Sequence, residues 1–144
     1  VTRHDRSYGF YEGVQRGFAL DDAVAFRRLM LDIYGNRCAV TGKVFPPDEA
    51  ANELEVFLFQ PLGHGGPMAP GNAIVVEAVV AGLLEKGHIL VNDAYCAYTA
   101  HPEIVPDMVE PGDAQGRNMA LPDNVSLWPE LTMVGYHRSL FRAQ

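Results

Sequence analysis

Residues 54–93 read LEVFLFQPLGHGGPMAPGNAIVVEAVVAGLLEKGHILVND, and the fold turns on how this stretch is divided. Its first six residues, LEVFLF, show little polar alternation, the mark of a strand covered on both faces. GHGGPMAPGN is a loop, because glycine and proline punctuate regular structure. Asn72 is placed to cap the next element, and the pattern predicts a helix from Ala73 to about Lys86, ended by Gly87. HILV and YCAYT then flank Asn92-Asp93-Ala94, which predicts a hairpin. Read as a helix, residues 73–86 are apolar around nearly the whole circumference, with Glu77, Glu85 and Lys86 the exceptions. Such a helix has to be buried on all sides.

Upstream, residues 1–20 are polar and aromatic and read as an N-terminal arm, ahead of a single domain over 21–144. A helix starts at Asp21 or Asp22, where a carboxylate suits both the cap and the helix dipole. Phe26, Leu29, Met30, Ile33 and Tyr34 form its apolar stripe, and Gly35 stops it. Cys38 to Val40 reads as a short strand before the turn TGK, and PPDEAANE as a polar loop. Downstream, residues 102–126 are rich in Pro, Gly, Asp and Asn and read as irregular. A last helix runs from Pro129 to Phe141, with Leu131, Val134, His137 or Arg138, and Phe141 along one side.

With 144 residues, 48% of them apolar and 20% charged, the chain suits one globular domain. No apolar run reaches the roughly 18–20 residues needed to span a bilayer, and the N-terminus has no signal-peptide core, so no membrane role and a cytoplasmic location are expected. Cys38 and Cys96 make neither a disulfide framework nor a zinc knuckle and read as small buried hydrophobes, with a single bridge left open. The net charge of −7 is unevenly spread: residues 1–43 carry +2, residues 44–136 carry −11, and the last eight +2. A phosphate backbone would be repelled by the middle section.

Three stretches together resemble the HNH endonuclease family, in its bacterial restriction-endonuclease-like branch. They are FRRLMLDIYGNRCAVTG, the block over residues 54–93, and the C-terminal YHRSLF. The resemblance spans roughly residues 21–142 and rests on order and spacing. It implies an α+β fold with a ββα (His-Me finger) core, an N-terminal helix, a hairpin after the core helix and a C-terminal helix. In that family a strand His is general base, an Asn holds the hairpin loop, and a helix His ligates a divalent cation. The imidazole accepts the water's proton, and the cation stabilises the charge developing on phosphate.

Carried over by position, that motif is degenerate here. Leu58 stands where the strand His belongs, Asn72 matches the Asn, and Ala81 stands where the helix His belongs. Leu84-Glu85-Lys86-Gly87 replaces the family's Phe-Asp-x-Gly. Neither leucine nor alanine moves a proton or binds a cation, so no catalytic residue and no metal or other cofactor are expected. The fallback is a centre rebuilt from His64, Glu85 and His88, and a divalent metal such as Mg²⁺ enters only under that alternative. Glu55, beside the lost base, points to the opposite face of the strand.

These residues together read as a catalytically degenerate HNH-like binding or scaffold module. Its former cleft has become apolar and is closed by packing, either within the chain or as a homodimer contact. Self-association is expected, with cover by residues 1–20 and 102–126 as the alternative. Two rivals remain: an active metal-dependent nuclease with relocated ligands, and a non-cleaving DNA-binding module using Arg27, Arg28, Arg37 and Lys43. Nucleic acid is disfavoured by the acidic middle, and the basic side chains on the first helix read first as a solvated face.

Overall fold

The computed structural model describes residues 20–99, 101–104, 110–111 and 117–141. The expected arm lies outside the described residues, apart from Leu20, which opens helix α1 (Leu20–Ile33). The apolar stripe of α1 turns Phe26, Met30 and Tyr34 into the core, with Ala23 beside them, while Leu29 stays exposed. Gly35 ends the helix as expected, at a φ of 61° that an L side chain rarely adopts.

After α1 the chain makes a tight loop rather than a strand. Arg37 bridges Val44, and the Cys38 N–H donates to the Lys43 carbonyl at 2.9 Å. Cys38 and Cys96 are both free, the first buried and the second half-buried. The expected polar loop at residues 46–53 is instead, after Pro46, a short helix, α2 (Pro47–Glu53). Pro47 at its first position needs no N–H partner, and Asp48 and Glu49 meet the positive end of the dipole, so local chemistry suffices to start it.

Strand β1 (Leu54–Leu58) follows directly. Its partner is the main departure from the sequence pattern. Ala73–Glu77 is not the front half of a helix but strand β2, paired antiparallel with β1 from Leu54 opposite Glu77 to Leu58 opposite Ala73. Helix α3 is only Ala78–Glu85. Ile74, Val75 and Val76 are β-branched and suit a pleated surface. An unbroken apolar run is equally the pattern of a strand covered on both faces, and periodicity alone does not separate the two. Because α3 starts later, it is not buried all round: Val80, Ala81 and Leu84 face inward, while Val79 is 55% exposed.

The hairpin is the centre of the core. Helices α1, α2 and α3 pack against β1, and Phe57 and Phe59 meet edge to face at 5.4 Å between ring centroids. Each Leu- or Phe-sized side chain buried here contributes about 1.5–3 kcal/mol.

The second hairpin forms where the turn signals put it. β3 (Leu90–Val91) and β4 (Cys96–Thr99) pair antiparallel, and the Asn92 side-chain oxygen accepts from the N–H groups of Ala94 and Cys96. The region expected to be irregular adds two short strands to β4: β5 (Glu110–Pro111), parallel, and β6 (Arg117–Asn118), antiparallel. Helix α4 (Leu131–Ser139) follows, with Val134 and His137 inward, while Leu131, expected on the same stripe, is 43% exposed. Among the described residues no helix is long and apolar enough to cross a membrane.

Candidate functional site

The loop joining β1 to β2 is organised by Asn72, which is 0% exposed. Its Oδ1 accepts from the Gln60 N–H at 2.9 Å, and its Nδ2 donates to the carbonyls of Gln60 (2.9 Å) and Pro67 (3.0 Å). One amide thus replaces water for three backbone groups inside the fold. It does not cap a helix; it ends a short 3₁₀ turn, Pro70–Asn72, that leads into β2. Gly66 completes the loop because a Cβ there would stand 1.8 Å from the Gln60 carbonyl oxygen. The pair of glycines in the loop therefore has a steric reason at its second member.

Around this loop the two motif positions are hydrocarbon. Leu58 ends β1 opposite Ala73, directly after Asn72 in the chain. Leu58 and Ala81 are each 2% exposed and belong to the same hydrophobic core. Helices α1, α2 and α3 pack on β1, and on its other face the edge of the His137 ring meets Phe57 and Phe59. The apolar strand thus needs no second copy to leave water.

The fallback residues sit apart in function. His64 Nδ1 lies 2.8 Å from the Tyr136 hydroxyl, so this side chain ties the loop to α4. His88 follows Gly87, whose φ of 77° and whose contact with Phe141 both exclude a side chain: a Cβ would lie 2.4 Å from the Phe141 ring. His88 packs against His101 at 5.7 Å between ring centroids. Burial, His101 and Lys86 push its pKa below the ordinary imidazole value, with Glu103 opposing them. Glu85, at the end of α3, is half-buried. Among the described residues, no three His, Cys, Asp or Glu side chains gather where a metal ion could be held, His64, Glu85 and His88 included.

The basic residues also divide. Arg27 is no solvated bystander: its Nη2 donates to the carbonyls of Ala51 (2.8 Å) and Leu54 (2.6 Å), fastening α1 to the junction of α2 and β1. The guanidinium thereby satisfies carbonyls that a helix end leaves without an intrahelical partner. Arg28 and Arg37 are exposed, and Lys43 lies over the Phe45 ring at 4.8 Å.

Little in the residue pattern signals what α4 does. His137 is 0% exposed, and its Nε2 meets the Leu84 carbonyl, the end of α3, at 2.8 Å. A carbonyl only accepts, so Nε2 carries a proton. Burial pushes the His137 pKa down to about 4, with the Leu84 carbonyl opposing and Arg138 assisting. Arg138 turns the other way, donating to the Val91 carbonyl and to Asp93, both at 2.8 Å. The pair therefore clamps α4 between α3 and the second hairpin. Cys38 plays a comparable part, its Sγ accepting from the N–H groups of Thr41 (3.4 Å) and Glu77 (3.3 Å). Only the adjacent letters His-Arg hint at the clamp.

No protein-family model and no curated protein matches this sequence. A solved structure does match the fold: the "Modification dependent TagI restriction endonuclease", with a TM-score of 0.62 and 20% identity over 90% of this chain and 43% of that chain. This chain thus spans less than half the length of the enzyme it resembles. It shares an α+β fold with part of that structure and, among the described residues, holds no metal-binding triad.

Proposed function

We propose that this chain is a catalytically degenerate HNH-like domain that acts as a binding or scaffold module. The observation that carries the reading is the pairing of a kept scaffold with lost chemistry. Asn72 holds its loop through three hydrogen bonds, while Leu58 and Ala81, in the two histidine positions, lie in the hydrophobic core. General-base and metal-assisted hydrolysis need groups that take up a proton and bind a cation, and an alkyl side chain does neither.

Its partner is a protein surface, a second copy included, rather than a phosphate backbone. The net charge of −11 over residues 44–136 supports this, as does the engagement of Arg27 within the fold. The test is plasmid cleavage by the full chain with Mg²⁺, Mn²⁺, Zn²⁺ and Ni²⁺ in turn. No cleavage above a metal-only control is expected. Metal-dependent nicking that disappears in His64→Ala or His88→Ala would overturn the reading in favour of relocated ligands. Light scattering at micromolar concentration reports whether the partner is a second copy.

A further inference from the structure

We propose that His88 and His101 form a two-imidazole site for a late first-row divalent cation, Zn²⁺, Ni²⁺ or Cu²⁺, beside the C-terminal end of α3. Neither residue occupies a position of the HNH motif, so the site is separate from the lost one. The two rings come from different segments, one after α3 and one after β4, and the fold brings their centroids to 5.7 Å at an interplanar angle of 84°.

That separation suits chelation. A zinc–nitrogen bond of about 2.1 Å puts the ring centroid about 3.2 Å from the ion, and two such ligands at the tetrahedral angle put their centroids about 5.2 Å apart. The rings therefore need to close by only a fraction of an ångström. One of them must also turn about the bond to its ring, a torsion that is broad for histidine.

The surroundings are suitable as well. A metal takes the neutral imidazole, the form that histidine readily reaches near neutral pH. His101 Nδ1 lies 3.6 Å from the Glu103 carboxylate, with both side chains well exposed. This is too long for a hydrogen bond but leaves a carboxylate ready to fix the ring from behind while Nε2 faces the ion, the arrangement usual for metal-bound histidine. With two protein ligands, water completes the coordination. Imidazole favours zinc, copper and nickel over magnesium or calcium, which sets the class of ion. The other described histidines are engaged elsewhere, His64 with Tyr136 and His137 with the Leu84 carbonyl.

The test is calorimetric titration of the full chain with Zn²⁺, and with Cu²⁺ under electron paramagnetic resonance. One ion per chain is expected, with nitrogen hyperfine structure from two imidazoles. His88→Asn and His101→Asn should each weaken binding by about tenfold or more, because each removes one of two nitrogen ligands, while His64→Asn and His4→Asn leave it unchanged. Circular dichroism checks that each variant stays folded. The proposal is overturned if the wild type binds no ion, if either pair variant binds as tightly as the wild type, or if His4→Asn is the change that abolishes binding.

Discussion

The first hairpin and helix α4 have exchanged chemical characters. At the end of β1, where the family resemblance expects an imidazole, Leu58 is packed in hydrocarbon. On α4, at a position with no motif role in the chemistry, His137 is an imidazole at 0% exposure. The contrast teaches that a histidine's role is set by its surroundings. His137 is wedged between Phe57, Phe59 and Phe141 with its N–H on a carbonyl, and burial suppresses its protonation. It is a staple, not a base.

The strongest blow to this comparison is at Asn72. Replacing it by leucine keeps the branched shape but strands one N–H and two carbonyls inside the loop. A loss of about 3–4 kcal/mol is expected by urea unfolding. A loss below about 1 kcal/mol would mean that water enters the loop and that Asn72 does not organise it.

The helix side is broken by acid. The His137 pKa is near 4 in the folded chain against about 6.5 unfolded. Below pH 6.5 the unfolded chain takes up a proton that the folded chain refuses, so stability falls as the pH falls. The contribution is complete above about pH 6.5, and about 3 kcal/mol of it is lost between there and pH 4. Unfolding free energies measured across that window should show this slope, and His137→Phe should flatten it. An equal slope in the variant would assign the acid sensitivity to other groups.

A smaller effect separates the two halves of the clamp. Arg138→Met keeps the stem but drops the bonds to Val91 and Asp93, for an expected cost of about 1–2 kcal/mol. Above about pH 6.5, where the His137 contribution is complete, that cost should be independent of pH. Neighbours on α1 provide the finest comparison. Arg27→Ala removes the bonds to Ala51 and Leu54 and should cost about 1–2 kcal/mol. Arg28→Ala, on the exposed face, should stay within about 0.5 kcal/mol. Equal costs at the two positions would remove Arg27 from the scaffold and return it to the candidates for nucleic-acid contact.

Local signals make much of this fold legible. The stripe and stop glycine of α1, the turn at Asn92 and the inward Val134 and His137 of α4 each depend on residues a few positions apart. The hydrocarbon at Leu58 and Ala81 is equally plain, because it needs only the identity of a side chain. What escapes are partnerships across the chain. Residues 73–77 read as helix because an all-apolar run fits a buried helix or a buried strand equally well, and only the neighbouring LEVFL settles it by offering a strand to pair with. Helix α2 escapes for the opposite reason: its polar surface presents no stripe, although its proline and carboxylates mark a helix start.

The sequence alone thus determined which chemical groups this protein owns and the short-range turns, stops and stripes, since these are properties of side chains and of the nearby backbone. The tertiary structure alone decided which groups meet: Asn72 with Gln60 and Pro67, His137 with the end of α3, Arg27 with the end of α2, and His88 with His101. Such meetings depend on how long-range packing orients whole elements. A side chain's pKa, its hydrogen bonds and its access to water all follow from that packing, so no local pattern encodes them.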